Sequence, residues 1–222
     1  MQLSLFTALE KRTGIKNLLL LCAYIGLVMA LVMIGCASPG QAYLEQGDDY
    51  TAQGLWEEAV AQYTEAIKVS PDLAMAYYHR GNAFSQLGKF DSATADYDKA
   101  IGLDPRLAGA YNGRGYAYVM KGMFDNAIAD YNKAIELNPK LAIAYDNKGL
   151  IYHNTDKFDM AIAEFSKAIE SDPKLVRAYF DRAYSYHKKG DKEKAAADLN
   201  KCIELSTDPK LTEAAKELLE RL

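Results

Sequence analysis

Three histidines, three cysteines and 30 acidic residues are the groups in this 222-residue chain that could bind a metal, attack a carbonyl or move a proton. His79, His153 and His187 lie far apart. None falls in HExxH, beside a cysteine pair, or four residues from another ligand in a set that completes a metal site. They read as helix-surface histidines. Gly113-Arg114-Gly115 opens like a dinucleotide loop, but the third glycine is missing and no strand precedes it. The chain has no P-loop, GxSxG or CxxC, and the acidic pairs Asp48-Asp49 and Glu57-Glu58 read as helix surface rather than a carboxylate couple in a cleft. Cys22 sits inside an apolar run, Cys36 at its end and Cys202 far away, so no disulfide framework is suggested. The expectation is a protein without catalytic residues, metal or cofactor, and without a small-molecule substrate.

Composition narrows the class. With 50% hydrophobic and 25% charged residues and 6 prolines, the chain is folded, and it is neither collagen-like nor a multi-span membrane protein. The net charge of -4 argues against a phosphate-coating surface, so no nucleic-acid partner is expected. Only Glu10, Lys11, Arg12 and Lys16 are charged before Gly35, which leaves the remainder at -6.

Leu18 to Ile34 is a run of 17 residues without a charge, preceded by Lys11, Arg12 and Lys16 and followed by no charge until Glu45. As a helix it would extend ~26 Å, short for a hydrocarbon core of ~30 Å and long for the apolar stretch of a signal peptide. Met33-Ile34-Gly35-Cys36 resembles the lipobox of bacterial lipoproteins, with Met33 where leucine is usual. That resemblance implies cleavage before Cys36 and acylation of its thiol, making the residue a tether. An uncleaved signal anchor and a structural cysteine are the alternatives. In the first two cases the preceding basic residues stay cytoplasmic and everything after Cys36 lies outside the cytoplasm.

From Gly40 almost to the end the sequence repeats every 34 residues. One column holds Tyr43, Tyr77, Tyr111, Tyr145 and Tyr179; the next holds Gly47, Gly81, Gly115, Gly149 and Ala183; a third holds Tyr50, Phe84, Tyr118, Tyr152 and Tyr186. Spacings of four and three put them on one helix face. A second helix carries Ala59, Ala93, Ala127, Ala161 and Ala195, then Tyr63, Tyr97, Tyr131, Phe165 and Leu199, then Ala66, Ala100, Ala134, Ala168 and Cys202. This pattern resembles the tetratricopeptide repeat. The resemblance implies an all-α superhelical solenoid of five helical hairpins, at 40–73, 74–107, 108–141, 142–175 and 176–207, closed by a capping helix at 208–222. Residues 1–35 are expected to form the signal or anchor, and 36–39 the lipid-attached tether.

Several local features follow from the columns. Gly54, Gly88, Gly122 and Gly190 fall where the first helix of a hairpin must stop, and Asp156 takes that place in the fourth, where a looser turn is expected. Asp104-Pro105, Asn138-Pro139 and Asp172-Pro173 read as a capping side chain followed by proline at the first helical position. Residues just before two columns vary together: Gln46 with Gln62, Arg80 with Asp96, Arg114 with Asp130, Lys148 with Glu164, and Arg182 with Asp198. They are expected to touch across each hairpin as partly exposed pairs, four of them as ion pairs and the first as amides. Cys202 stands in an alanine column and reads as a small buried residue.

The family resemblance also implies a concave groove, lined by the first helix of each hairpin, that takes an extended peptide or a partner's helix. The stripe beside the packing face offers Tyr78 and Asn82, Asn112 and Tyr116, Asp146 and Leu150, then Phe180 and Tyr184, with Arg177 and Lys188 at a basic and aromatic carboxyl-terminal end. Asparagines suit a peptide backbone, and exposed aromatics supply contact area. The lysine-asparagine clamp of chaperone-binding members is absent, since Leu44, Asp48 and Gly113 occupy its places. The expected function is a membrane-tethered, non-enzymatic interaction scaffold outside the cytoplasm, an adaptor for envelope assembly. The alternative is a self-associating solenoid on an uncleaved transmembrane helix.

Overall fold

The structure, a computed structural model, describes residues 39–222. The expected signal or anchor at 1–35, Cys36 and the tether up to Ser38 lie outside the described residues. Within them the chain forms five hairpins and a final helix: α1 (Pro39–Ala52) with α2 (Trp56–Val69), α3 (Ala74–Gln86) with α4 (Phe90–Leu103), α5 (Ala108–Met120) with α6 (Phe124–Leu137), α7 (Ala142–Asn154) with α8 (Phe158–Ser171), α9 (Val176–Lys188) with α10 (Lys192–Leu205), and α11 (Pro209–Glu220). Among the described residues no helix is long and apolar enough to cross a membrane. Each second helix packs on its own partner and on the first helix of the next hairpin, and the first helices also touch one another along the stack, forming its inner wall.

The first four hairpins close by laying a ring against a residue that has no side chain. Tyr63, Tyr97, Tyr131 and Phe165 are all at most 1% exposed, and each lies under the glycine of its own hairpin. A Cβ on Gly149 would sit 2.6 Å from Phe165 Cε1. In the fifth hairpin the large member shrinks to Leu199 and the small one grows to Ala183, and both are fully buried. Cys202 is likewise buried in its alanine column, with burial first and Asp181 second pushing its thiol up to about 11, so it packs as a small apolar group. Beyond it α11 covers the last hairpin with Ala215 and Leu218, while Lys210, Glu213, Lys216, Glu217, Glu220 and Arg221 are exposed.

The four charged co-varying pairs meet, and they are less exposed than the sequence suggests. Arg80, Arg114 and Arg182 each grip an aspartate with two nitrogens, at 2.7 and 2.8 Å to Asp96, 2.7 and 2.7 Å to Asp130, and 2.7 and 2.8 Å to Asp198. The arginine side chains are only 18% exposed. Their remaining nitrogen reaches back to the preceding hairpin, at Thr64, Asp98 and Ser166 respectively. Such bidentate, charge-assisted bonds fix the register within a hairpin and between neighbours together. Lys148 has one head group and reaches Glu164 at 3.2 Å, leaving Glu164 Oε2 buried without a partner. No hydrogen bond joins Gln46 to Gln62.

Two turn expectations are corrected. Asp156 adopts φ 58° and closes the same two bonds as Gly122, from its own amide to His153 and from Lys157 to Tyr152, so the fourth turn is not looser. Aspartate tolerates the left-handed region because of its short polar side chain. The prolines at 105, 139 and 173 do not start helices. Asp104, Asn138 and Asp172 end the preceding helix and accept the amide two residues on, and the next helix begins three residues after each proline. Asp208-Pro209, by contrast, does cap and start a helix, α11.

The ring-on-glycine contact predicts opposite outcomes for two glycine substitutions. Gly149→Ala crowds Phe165 and should cost roughly 1–3 kcal/mol. Gly102→Ala, where an added Cβ meets nothing within 4 Å, should add roughly 0.5–1 kcal/mol in urea unfolding.

Candidate binding groove

Along the inner wall the tips of the packing rings emerge between the first helices and meet the stripe expected to bind. Tyr63 Oη donates to Asp48 Oδ1 at 2.8 Å and lies 2.9 Å from Thr51 Oγ1. Tyr97 Oη donates to Asn82 Oδ1 at 2.8 Å, and its ring fills the space a Cβ on Gly113 would need. His79 Nδ1 stands 2.9 Å from Asp48 Oδ1, and burial lowers its pKa against the pull of Asp48, so it is a neutral member of this polar chain rather than a free surface histidine. His153 Nδ1 similarly meets Ser185 of the next hairpin at 2.8 Å; burial, then Lys188, lowers its pKa against Asp156.

Two cavities occupy the middle of the groove. The larger, about 480 Å³, is lined by Thr51, Asn82, Ser85, Asn112 and Tyr116, and also by Gly113, Ile143, Asn147 and Arg177. The second, about 270 Å³, lies between the third and fourth hairpins and takes Tyr116, Val119, Met120, Phe124, Leu150 and Ile151 as apolar walls, with Tyr131, Asn147, Asn154 and Arg177 as polar ones. Arg177 therefore belongs to the centre of the groove and not only to its carboxyl-terminal end. Its Nε donates to Asp181 Oδ2 at 3.3 Å, and its side chain remains 63% exposed.

The expected site residues divide. Asn82, Asn112, Tyr116, Leu150 and Arg177 line the two cavities. Tyr78 is half-buried, edge-on to His79 and near Tyr97, with its hydroxyl against the backbone of Gly109. Phe180 packs on the terminal core, and Tyr184 is exposed, 5.2 Å from the His153 ring and beneath Lys188 Nζ at 5.4 Å. Asp146 is not in the groove: it is 0% exposed, with both carboxyl oxygens lacking a partner. Helical spacing put it on the right face, but it is buried where the next hairpin packs, with Asp181 and Arg177 nearby. Leu44 is buried for the same geometric reason. Ile143, Asn147 and Gly113 line the cavities unforeseen, because each stands one turn or one residue away from the stripe. The neighbours of Asn112, read in the same 34-residue register, would have pointed to Gly113 and Asn147.

Asn147 Nδ2 donates to Asn112 Oδ1 at 3.3 Å, and one repeat later the same two places hold Asp181 and Asp146. Two carboxyls thus replace two amides, and neither can donate unless protonated. Burial, reinforced by Asp181 and opposed by Arg177, raises Asp146 to about 7. Burial also raises Asp181 to about 6, against Arg177. Among the described residues no cluster of histidine, cysteine and acidic side chains could hold a metal ion.

Comparison with known proteins fits this architecture. A profile described as TPR repeat matches residues 40–88, 81–122 and 149–190, and profiles described as tetratricopeptide repeat match 108–141, 130–163 and 176–209. The chain belongs to the tetratricopeptide repeat family. No curated protein matches the sequence. Among solved structures, MamA is 28% identical with a TM-score of 0.63, covering 76% of this chain and 92% of its own. YrrB, described as a TPR protein with an unusual peptide-binding site, is 25% identical with a TM-score of 0.59, covering 79% of this chain and 90% of its own. PilF of Pseudomonas aeruginosa, 20% identical with a TM-score of 0.72 over 82% of this chain and 85% of its own, shares the fold. A tetratricopeptide solenoid is an interaction scaffold, and this one carries its cavities where the first helices face inward.

The buried carboxyl predicts a pH dependence. A carboxyl whose folded pKa is raised keeps its proton in the native state while the unfolded chain, with a pKa of roughly 3.9, has lost it. Stability from this group therefore falls as pH rises from about 4 to about 7, and the penalty is complete above that. Asp146→Asn should stabilise the protein by on the order of 2–4 kcal/mol at pH 8 and by much less at pH 5, measured by urea unfolding at both values.

Proposed function

We propose that the chain is a non-enzymatic scaffold that holds an extended, acidic segment of a partner protein along the inner wall, and that it works tethered to a membrane outside the cytoplasm. The placement of Arg177 carries the first part. Its Nε is held by Asp181, its side chain is exposed, and it borders both central cavities, so a guanidinium is presented where a segment must pass. Asn82, Asn112 and Asn147 in the same groove supply donors and acceptors for a peptide backbone, and Tyr116 supplies exposed aromatic area. YrrB, a similar structure, is described as having an unusual peptide-binding site, which supports peptide binding as a use of this fold. The exposed polar face of α11 ends the stack and does not favour continuation into a second copy.

The tether rests on sequence. A charge-free run from Leu18 to Ile34 after three basic residues, followed by Gly35-Cys36, supports a lipid-modified amino terminus on Cys36. With helix α1 beginning at Pro39, the solenoid would then stand close to the lipid surface, as an envelope adaptor would.

Two measurements test these statements separately. Arg177→Glu combined with Lys188→Glu should abolish crosslinks to the partner in native membranes, and raising salt should weaken binding by the parent protein. The same charge change at the exposed Lys192 and Lys210, which line neither cavity, should leave the crosslinks intact. Cys36→Ser should remove metabolic lipid labelling and leave a heavier, unprocessed chain; an unlabelled parent of unchanged mobility would support an uncleaved anchor instead.

A further inference from the structure

Tyr131 departs from the other tyrosines of its column. Tyr63 is served by Asp48 and Thr51, and Tyr97 by Asn82, but the places of those partners in the third hairpin are taken by Tyr116 and Val119. Tyr131 Oη is consequently buried without a hydrogen bond. The next two hairpins avoid the difficulty by carrying Phe165 and Leu199. Leaving a buried hydroxyl unpaired is costly unless something completes it. Tyr131 borders the 270 Å³ cavity, with Val119, Leu150 and Ile151 around it and Arg177 at its edge.

We propose that this cavity is a subsite for a phenolic side chain, a tyrosine in the acidic partner segment, with its hydroxyl on Tyr131 Oη and its ring against Val119, Leu150 and Ile151. The inference rests on the groove binding a peptide. The apolar walls select a ring over a polar side chain. The unpaired Tyr131 hydroxyl matches a phenol, which donates and accepts one bond each, whereas an amide would bring further groups to be met. A carboxylate belongs instead at Arg177, which suits an acidic residue beside the tyrosine. Burial and the nearby Tyr116 hydroxyl hold Tyr131 protonated, so it remains available as a donor.

The test uses two soluble probes, acetyl-Glu-Tyr-Glu-amide and acetyl-Glu-Phe-Glu-amide, titrated into the full chain while the methyl resonances of Val119, Leu150 and Ile151 are followed by NMR. The tyrosine peptide should shift these methyls and bind about 3- to 10-fold more tightly than its phenylalanine twin. Tyr131→Phe should erase that difference, and it should fold, because Phe165 occupies the equivalent place one hairpin later. Equal binding of the two peptides by the parent, or a preference that survives Tyr131→Phe, overturns the subsite. If both peptides bind equally and both weaken with Arg177→Glu, the subsite alone falls. If neither binds, the acidic-peptide reading falls with it.

Discussion

A ring pressed against a glycine is the contact on which the rest of this solenoid depends. It sets how closely the two helices of a hairpin approach, and through that distance the angle at which the next hairpin can dock. Phe165 under Gly149 and Leu199 under Ala183 are the same solution with volume moved from one helix to the other. The alanine columns complete it from the opposite side, since Ala59, Ala93, Ala127, Ala161 and Ala195 are all fully buried. Nothing in the helices themselves requires this arrangement. Their stability comes mainly from the apolar area that stacking removes from water, as expected of repeats that cannot fold singly.

The same rings carry the core's chemistry out to the groove. A tyrosine long enough to fill the space under glycine also reaches the inner wall, where its hydroxyl must find a partner. Asp48, Thr51 and Asn82 are thus fixed partly by the core beneath them and are not wholly free to serve a ligand. Where the ring lacks a hydroxyl, as at Phe165, the wall position becomes Leu150 and turns apolar.

The repeat, its columns and the charged pairs were legible in the sequence because each position recurs five times, and a packing rule shows itself as a column. Burial of Asp146 was not legible. It depends on the packing of the neighbouring hairpin, which brings Asp181 and Arg177 near, a relation between repeats that helical periodicity within one repeat cannot express. The prolines misled for a related reason. Asp-Pro and Asn-Pro can open a helix or close one, and here the preceding helix and its Asx turn took the capping side chain. Arg177 was recognised as basic, but its place at the centre of the groove emerged only from the superhelical path.

Ties between hairpins are not evenly distributed. The second and third are joined by Arg114 to Asp98 and Lys121 to Asp91, and the fourth and fifth by Arg182 to Ser166 and Lys189 to Asp159. Between the third and fourth, Lys148 makes no bond backward and Thr155 stands where a lysine would, leaving the Asn147–Asn112 bond on the groove side. Helices α6 and α7 also touch more sparsely than their counterparts, and a second cavity of about 240 Å³ opens at this junction. In the terms of a one-dimensional array, the coupling between neighbours is unequal. The joint between the third and fourth hairpins is the weakly tied one, and a segment lying across the groove would bridge it.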